Sequence, residues 1–193
     1  TNWNPDIDPQ HRRRNPNDVS GGGLITHLTM WAETDEGLVN LMKASTDANL
    51  EGRVMRYPRM DKEILAKYSK GIIASSGCPS GIIQTRLLLG QFDEALRAAG
   101  ELQDIFGRDN FYIEFMDHGL KIEKQVTDGL LDIAKKLNAP LLATNDSHYV
   151  RAEDAGSQDA MLCINSGSTL DEPGRFKFDG TGYYLKSAEE MRE

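Results

Sequence analysis

Two cysteines, Cys78 and Cys163, are too few among 193 residues for a disulfide framework. No apolar run approaches the ~18 residues of a membrane span, so membrane functions fall away. No signal-like stretch opens the chain, and the cytoplasm is the expected compartment. Basic residues are the minority charge: 22 Lys and Arg stand against 30 Asp and Glu, for a net charge of −8. Such a chain is a poor general binder of nucleic acid, because phosphate attraction needs a basic surface. A local site where a metal supplies the positive charge stays open. Neither G-x-G-x-x-G nor a Walker pattern occurs, so dinucleotide and P-loop chemistry have no support. No internal repeat is visible. What is present is the composition of a folded domain, with 39% hydrophobic and 27% charged residues. The length is that of one domain or a fragment of a larger one.

Thr1 is not Met, and the stretch Asn2 to Ser20 is polar, with a basic run from His11 to Arg14. The chain therefore reads as a cut from something longer, beginning in a loop. Residues 1–23 end in Gly21-Gly22-Gly23 and read as a flexible lead-in or an insertion loop. The arginine run reads as a solvated stretch, with a phosphate-contacting arm as the alternative.

From Leu24 onward, short apolar segments alternate with helical patterns. Strands are expected over 24–32, 71–76, 111–116 and 140–144, and helices over 36–50, 61–68, 80–89, 92–106, 121–137 and 153–164. The clearest helix is 121–137, where Ile122, Val126, Leu130, Ile133 and Leu137 recur at helical spacing. In the first helix, Leu38, Leu41 and Met42 share a face. Ser187-x-x-Glu190 reads as a capping box that starts a last helix. Strand–helix alternation with apolar strands means an α/β fold, a parallel sheet covered by helices. Four strands are too few to close a barrel. In such folds functional groups gather at the C-terminal ends of strands, which directs attention to His27, Cys78, Asp117-His118 and Asp146-x-His148.

In extended chain, residues two apart point the same way, so Asp146 and His148 should project together. A carboxylate beside an imidazole suits a divalent metal; the plainer reading is an Asp–His hydrogen bond that orients the loop. Cys78, in Gly77-Cys78-Pro79-Ser80-Gly81, reads as a thiolate ligand, a nucleophile, or a small residue buried in a turn. Cys163 sits in an apolar helical run and reads as core. His27 reads from its strand position as a satisfied core residue, and His118 as a ligand or, more plainly, a turn residue fixing the Gly119 corner. Ser147 and His148 are sequence neighbours whose side chains point apart, so they form no serine–histidine couple. Taken together, the placement of these groups points to a metal-dependent hydrolase of barrel type.

Six segments then match a known family in order: Thr26 to Met30, Gly77 to Gly81, Met116 to Gly119, Ala143 to Tyr149, Met161 to Ile164 and Arg175 to Gly180. From about Ser20 to its end the chain closely resembles the polymerase and histidinol phosphatase (PHP) domain of the bacterial DNA polymerase III alpha subunit. The resemblance implies a distorted TIM-like (β/α)7 barrel of parallel strands with outer helices, here without its N-terminal strands. It places a partial barrel over 24–166 and a connection toward the polymerase palm over 167–193. It implies a replicative DNA-directed DNA polymerase, with the PHP domain as a metal-dependent 3′–5′ proofreading exonuclease. By motif, His27 and Cys78 resemble ligands of one ion, Asp146 a ligand of a second and His148 of a third. Asp146 and His148 are also the expected catalytic residues, and His118 is not expected to be a ligand.

The implied cofactor is a divalent cluster of Zn, Mn or Fe. Metals suit phosphodiester hydrolysis because they lower the pKa of bound water from 15.7 to about 7 and clamp the attacking and leaving oxygens. The expected partners are DNA at the primer 3′ end and other replisome subunits, including the sliding clamp. The family's H-x-H motif and its following Asp, His and Glu are absent, so this chain holds only four of the ligands. The fragment alone is expected to bind metal poorly and to be inactive, its cluster unfilled. Gln158 stands where many relatives have a histidine. Two alternatives remain: a catalytically silent docking module that binds a separate exonuclease subunit, and a free-standing PHP phosphatase.

Overall fold

The computed structural model describes residues 26–53 and 58–192; the lead-in of residues 1–23 lies outside them. Four strands, β1 (Thr29–Ala32), β2 (Ile72–Ser75), β3 (Phe111–Phe115) and β4 (Leu141–Ala143), form one sheet in the order β1-β2-β3-β4. The helices are α1 (Asp35–Leu50), α2 (Lys62–Lys67), α3 (Ile82–Leu88), α4 (Phe92–Phe106), α5 (Lys121–Leu137) and α6 (Ala155–Ser166). Single 3-10 turns lie at Ala152–Asp154 and Glu190–Arg192. The mixed α/β class expected from the alternation is observed, as an open sheet. No described helix is long and apolar enough to cross a membrane.

The capping chemistry is local and readable. The Thr34 hydroxyl accepts from Gly37 N at 3.1 Å to start α1, and the Asp61 carboxylate accepts from Ile64 N at 2.9 Å to start α2. Gly90, with φ +72°, ends the α3 turn before α4 begins. Ser187 and Glu190 form the reciprocal capping box, Ser187 N to Oε2 at 2.8 Å and Glu190 N to Oγ at 3.3 Å. The box opens the last helix, which is a single 3-10 turn.

One strand departs from the all-parallel expectation. β2 and β3 pair in parallel, but β1 pairs with β2 antiparallel, Thr29 opposite Ser75 and Ala32 opposite Ile72. The connection explains it. A single crossover helix returns the chain to the opposite end of the sheet; here two helices carry it out and back to the end it left. Glu33 N donates to Gly71 O at 2.9 Å, closing the excursion. The closure needs bare backbone, since a Cβ on Gly37 would lie 1.8 Å from Gly71 O. The same crowding sets the buried face of α1. It buries Gly37, Ala44 and Ala48; of the expected face Leu41 packs against the core while Leu38 and Met42 stay exposed, so small residues define most of its inward side.

Two compact units result. The first holds the described residues up to Phe115 together with Gln125–Leu142; the second holds Met116–Lys124 and everything from Ala143 onward. The first has an aliphatic core of Ile72, Ala74, Ile83, Leu102, Phe111, Ile113, Leu130 and Ile133. In the second, Cys163 is buried, as its helical run suggested.

Candidate metal centre

The expected ligands fall into two pairs, one in each unit. In the first unit, β2 ends at Ser75 and the chain turns sharply at Gly77, φ +80°. Glycine is required, because that φ strains any side chain and a Cβ there would stand 3.2 Å from His27 O. Buried Gln84, one turn into α3, donates its amide to Gly77 O at 2.7 Å and to Ser76 Oγ at 3.1 Å. Gly81 N donates to Cys78 O at 2.7 Å, and His27 N to Ser80 O at 3.0 Å. These bonds draw the chain at His27 out of β1 and onto the loop, which is why β1 begins at Thr29 and not at His27. They also bring His27 Nδ1 to 3.5 Å from Cys78 Sγ. His27 is exposed, so it is not the core histidine its strand position suggested.

That separation is itself informative. Zinc–sulfur and zinc–nitrogen bonds of about 2.3 and 2.1 Å at a tetrahedral angle set the two donors about 3.6 Å apart. His27 and Cys78 therefore already span one edge of such a site, and the donor set fits the implied metal.

In the second unit, Asp146 and His148 lie in the loop after β4. The loop is not extended: Asp146 has φ +42°, a left-handed value that Asp tolerates better than most residues. The turn brings Asp146 Oδ1 to 4.0 Å from His148 Nδ1. The imidazole is oriented by main chain: Nδ1 donates to the Asp146 carbonyl at 2.6 Å. A carbonyl can only accept, so the proton of the neutral ring sits on Nδ1 and the Nε2 lone pair is left for a cation. The side-chain Asp–His bond of the plainer reading is thus replaced by a bond to backbone. Among the described residues the Asp146 carboxylate accepts no hydrogen bond, and no group of three or more His, Cys, Asp or Glu could hold a metal. The His27–Cys78 pair supplies two donors toward the four or more that an ion takes, and Asp146 and His148 one each.

Four residues fix the second loop, and of these only His118 draws attention in the sequence. His118 is buried, its side chain 3% exposed, and does more than hold the Gly119 corner. Its Nδ1 meets Glu123 Oε1 at 2.6 Å and its Nε2 donates to Asn145 O at 3.0 Å. The bond to Glu123 raises the His118 pKa above its ordinary value, against the opposing effect of burial. Both ring nitrogens face acceptors, so the ring is held as an imidazolium with no lone pair for a metal. Burial pushes Glu123 upward, but bonds from the His118 side chain, His118 N and Leu120 N outweigh it and hold the carboxyl below its usual range. Tyr183 stacks on the His118 ring at 4.3 Å and 17°, a cation–π arrangement. Burial, followed by the charges of Glu123 and Asp146, pushes its phenol up to about 12. Asn145 donates to Gly182 O and to Tyr184 O, each at 2.7 Å, and His148 N donates to Tyr183 O at 2.8 Å. The loop is thereby held on one side by a buried cation and on the other by the segment 182–184. The readable trace of this is His118 five residues before Glu123 at the opening of α5; the other partners lie too far along the chain to be inferred.

Comparisons with known proteins identify the family of the chain. The PHP domain family matches residues 7–118. The DNA polymerase III subunit alpha of Saccharopolyspora erythraea is 59% identical over 176 residues, covering 91% of this chain. The protein of that name from Mycobacterium tuberculosis is 56% identical over the same share, and that from Thermus aquaticus 42% identical over 89%. The chain spans about 15% of the length of these relatives.

Proposed function

This chain belongs to the PHP domain family, and from that premise we propose that it is part of a DNA polymerase III alpha subunit whose PHP domain is a metal-dependent 3′–5′ proofreading exonuclease. The single observation that carries the nuclease reading is the pairing of donors: His27 with Cys78 at 3.5 Å, and the His148 imidazole, bonded through Nδ1 to main chain, with that nitrogen 4.0 Å from the Asp146 carboxylate. A purely structural loop needs neither an open imidazole nitrogen nor a carboxylate without hydrogen bonds.

His27 and Cys78 would hold one ion, and Asp146 and His148 would contribute to others. When bound, such ions supply a hydroxide-like nucleophile at neutral pH and neutralise charge on the scissile phosphate. The chain's own part is preorganisation. Gln84 and the Gly77 turn fix the thiolate loop, the Asp146 carbonyl fixes the imidazole tautomer, and His118 with Asn145 fixes the backbone that leads into Asp146 and His148. The mixed nitrogen, sulfur and oxygen set suits Zn, Fe or Mn. The substrate is DNA at the primer 3′ end, the setting is the cytoplasm, and the partners are other replisome subunits, including the sliding clamp.

The test uses the full-length polymerase chain. Bound metal and hydrolysis of a mismatched primer end should both fall at least about tenfold in Asp146→Ala and in His148→Ala. A wild-type chain that retains its metal but leaves the mismatched end intact overturns the nuclease reading in favour of a docking module.

A further inference from the structure

Within the second unit, a cavity of about 220 Å³ opens among Tyr149, Gln158, Asp159, Leu162, Lys177 and Phe178. It is smaller than the roughly 300–1,000 Å³ of pockets that enclose drug-sized ligands, and suits a single planar ring system. Two aromatic rings line it. Tyr149 is pinned, because Tyr183 N donates to its hydroxyl at 3.2 Å. Phe178 meets the His148 ring edge-on, with centroids 4.6 Å apart. The cavity therefore adjoins a candidate metal ligand.

Its charge is equally specific. Arg175 grips the Asp159 carboxylate with two bonds of 2.6 Å, so that acid is neutralised. Lys177 makes no ion pair among the described residues, though its charge also acts on Asp159; with Arg175 it makes two cations around the single acid that lines the cavity. In a chain of net charge −8, this one recess favours an anion. Aromatic faces for a ring, a cation for a phosphate and an amide, Gln158, able to donate and accept at a ring edge are together the chemistry that binds a nucleotide.

We propose that this cavity seats the terminal nucleobase of a single-stranded DNA 3′ end, with the ring against Tyr149 and Phe178 and the phosphate toward Lys177. The inference rests on the nuclease reading and adds that the substrate end is unpaired and is gripped through its last base.

The experiment uses the full-length chain in EDTA, so that binding is read without hydrolysis. A single-stranded oligodeoxynucleotide ending in 3′-terminal 5-iodo-deoxyuridine is irradiated with it, and the adducts are mapped by mass spectrometry. The expected adduct lies on Tyr149 or Phe178, weakens about tenfold in Lys177→Glu, and is lost in Phe178→Ala. Lys177 is exposed, so its variant tests the site even where removal of Phe178 disturbs the aromatic cluster. Adducts confined to other segments, equal yield from an internally placed iodo-base, or an undiminished Lys177→Glu adduct would each overturn the proposal. So would competition by free deoxythymidine monophosphate at the oligonucleotide's own concentration, which makes the occupant a free nucleotide. An adduct that forms as expected in a chain unable to degrade mismatched ends sustains this inference while the nuclease reading fails.

Discussion

The two units of this chain are stabilised by different physics. The first buries aliphatic and aromatic side chains from β2, β3 and the helices packed on them, and its tightest backbone approach, Gly37 against Gly71, excludes side chains altogether. Among the described residues of the second, only Cys163 and Tyr183 are buried apolar or aromatic groups. Its order comes from an imidazolium, a carboxylate, an amide and a stacked phenol. Apolar burial is indifferent to pH and direction, whereas hydrogen-bonded charge is sensitive to both. The two candidate ligand pairs thus sit on supports that should fail under different stresses.

The largest effect should come from Gly37→Ala. Its methyl would overlap Gly71 O, and the helix must move away from β2, a loss of about 3 kcal/mol or more in urea unfolding. The loss should be the same at pH 5 and pH 8; strong pH dependence would break the contrast. Next, His118→Ala leaves Glu123 buried without its cation and should cost about 3 kcal/mol. Hydrogen exchange should accelerate at residues 145–148 and 182–184, and an equal acceleration in β2 would deny that the charge acts locally.

A smaller, graded effect follows from titration. His118 is held above its ordinary 6.5, so its contribution is complete below that value and fades as pH rises through the raised pKa. Glu123 is held below its ordinary 4.5, so its contribution is complete above that value and fades as pH falls through the lowered pKa. The pair is at full strength between those limits. Melting curves should show a stability plateau there, and His118→Gln should lose the alkaline decline; a decline unchanged in that variant would assign it to another group. Smallest of all, Thr34→Ala removes one helix cap in the first unit and should cost about 1 kcal/mol, readable as a shift of the urea midpoint.

Much of the first unit was legible in the sequence. α4 and α5 begin and end where periodicity and Gly90 placed them, because amphipathic pattern and helix ends are local signals. The reversed direction of β1 was not legible. It depends on two glycines 34 positions apart meeting in space, and neither advertises its partner. The turn of α1 that keeps Leu41 inward but replaces Leu38 and Met42 by Gly37, Ala44 and Ala48 has the same origin. At the candidate centre, motif matching located His27, Cys78, Asp146 and His148, and the structure brings them together as two pairs. It did not locate Gln84 or Asn145, which act through carbonyls of other segments. His118 was noticed, but its burial and charge depend on Tyr183 and Asn145, which no local pattern links to it.

The end strands of the sheet have a practical consequence. β4 is three residues long, with Leu141 half in solvent, and β1 at the other margin exposes Trp31. Margins of this kind present main-chain donors and acceptors to any passing molecule, with no lysine or proline within either strand to discourage adhesion. When this polypeptide is purified by itself, colloidal behaviour should worsen with concentration, and a lysine installed at Leu141 would be the simplest way to keep preparations clear for spectroscopy.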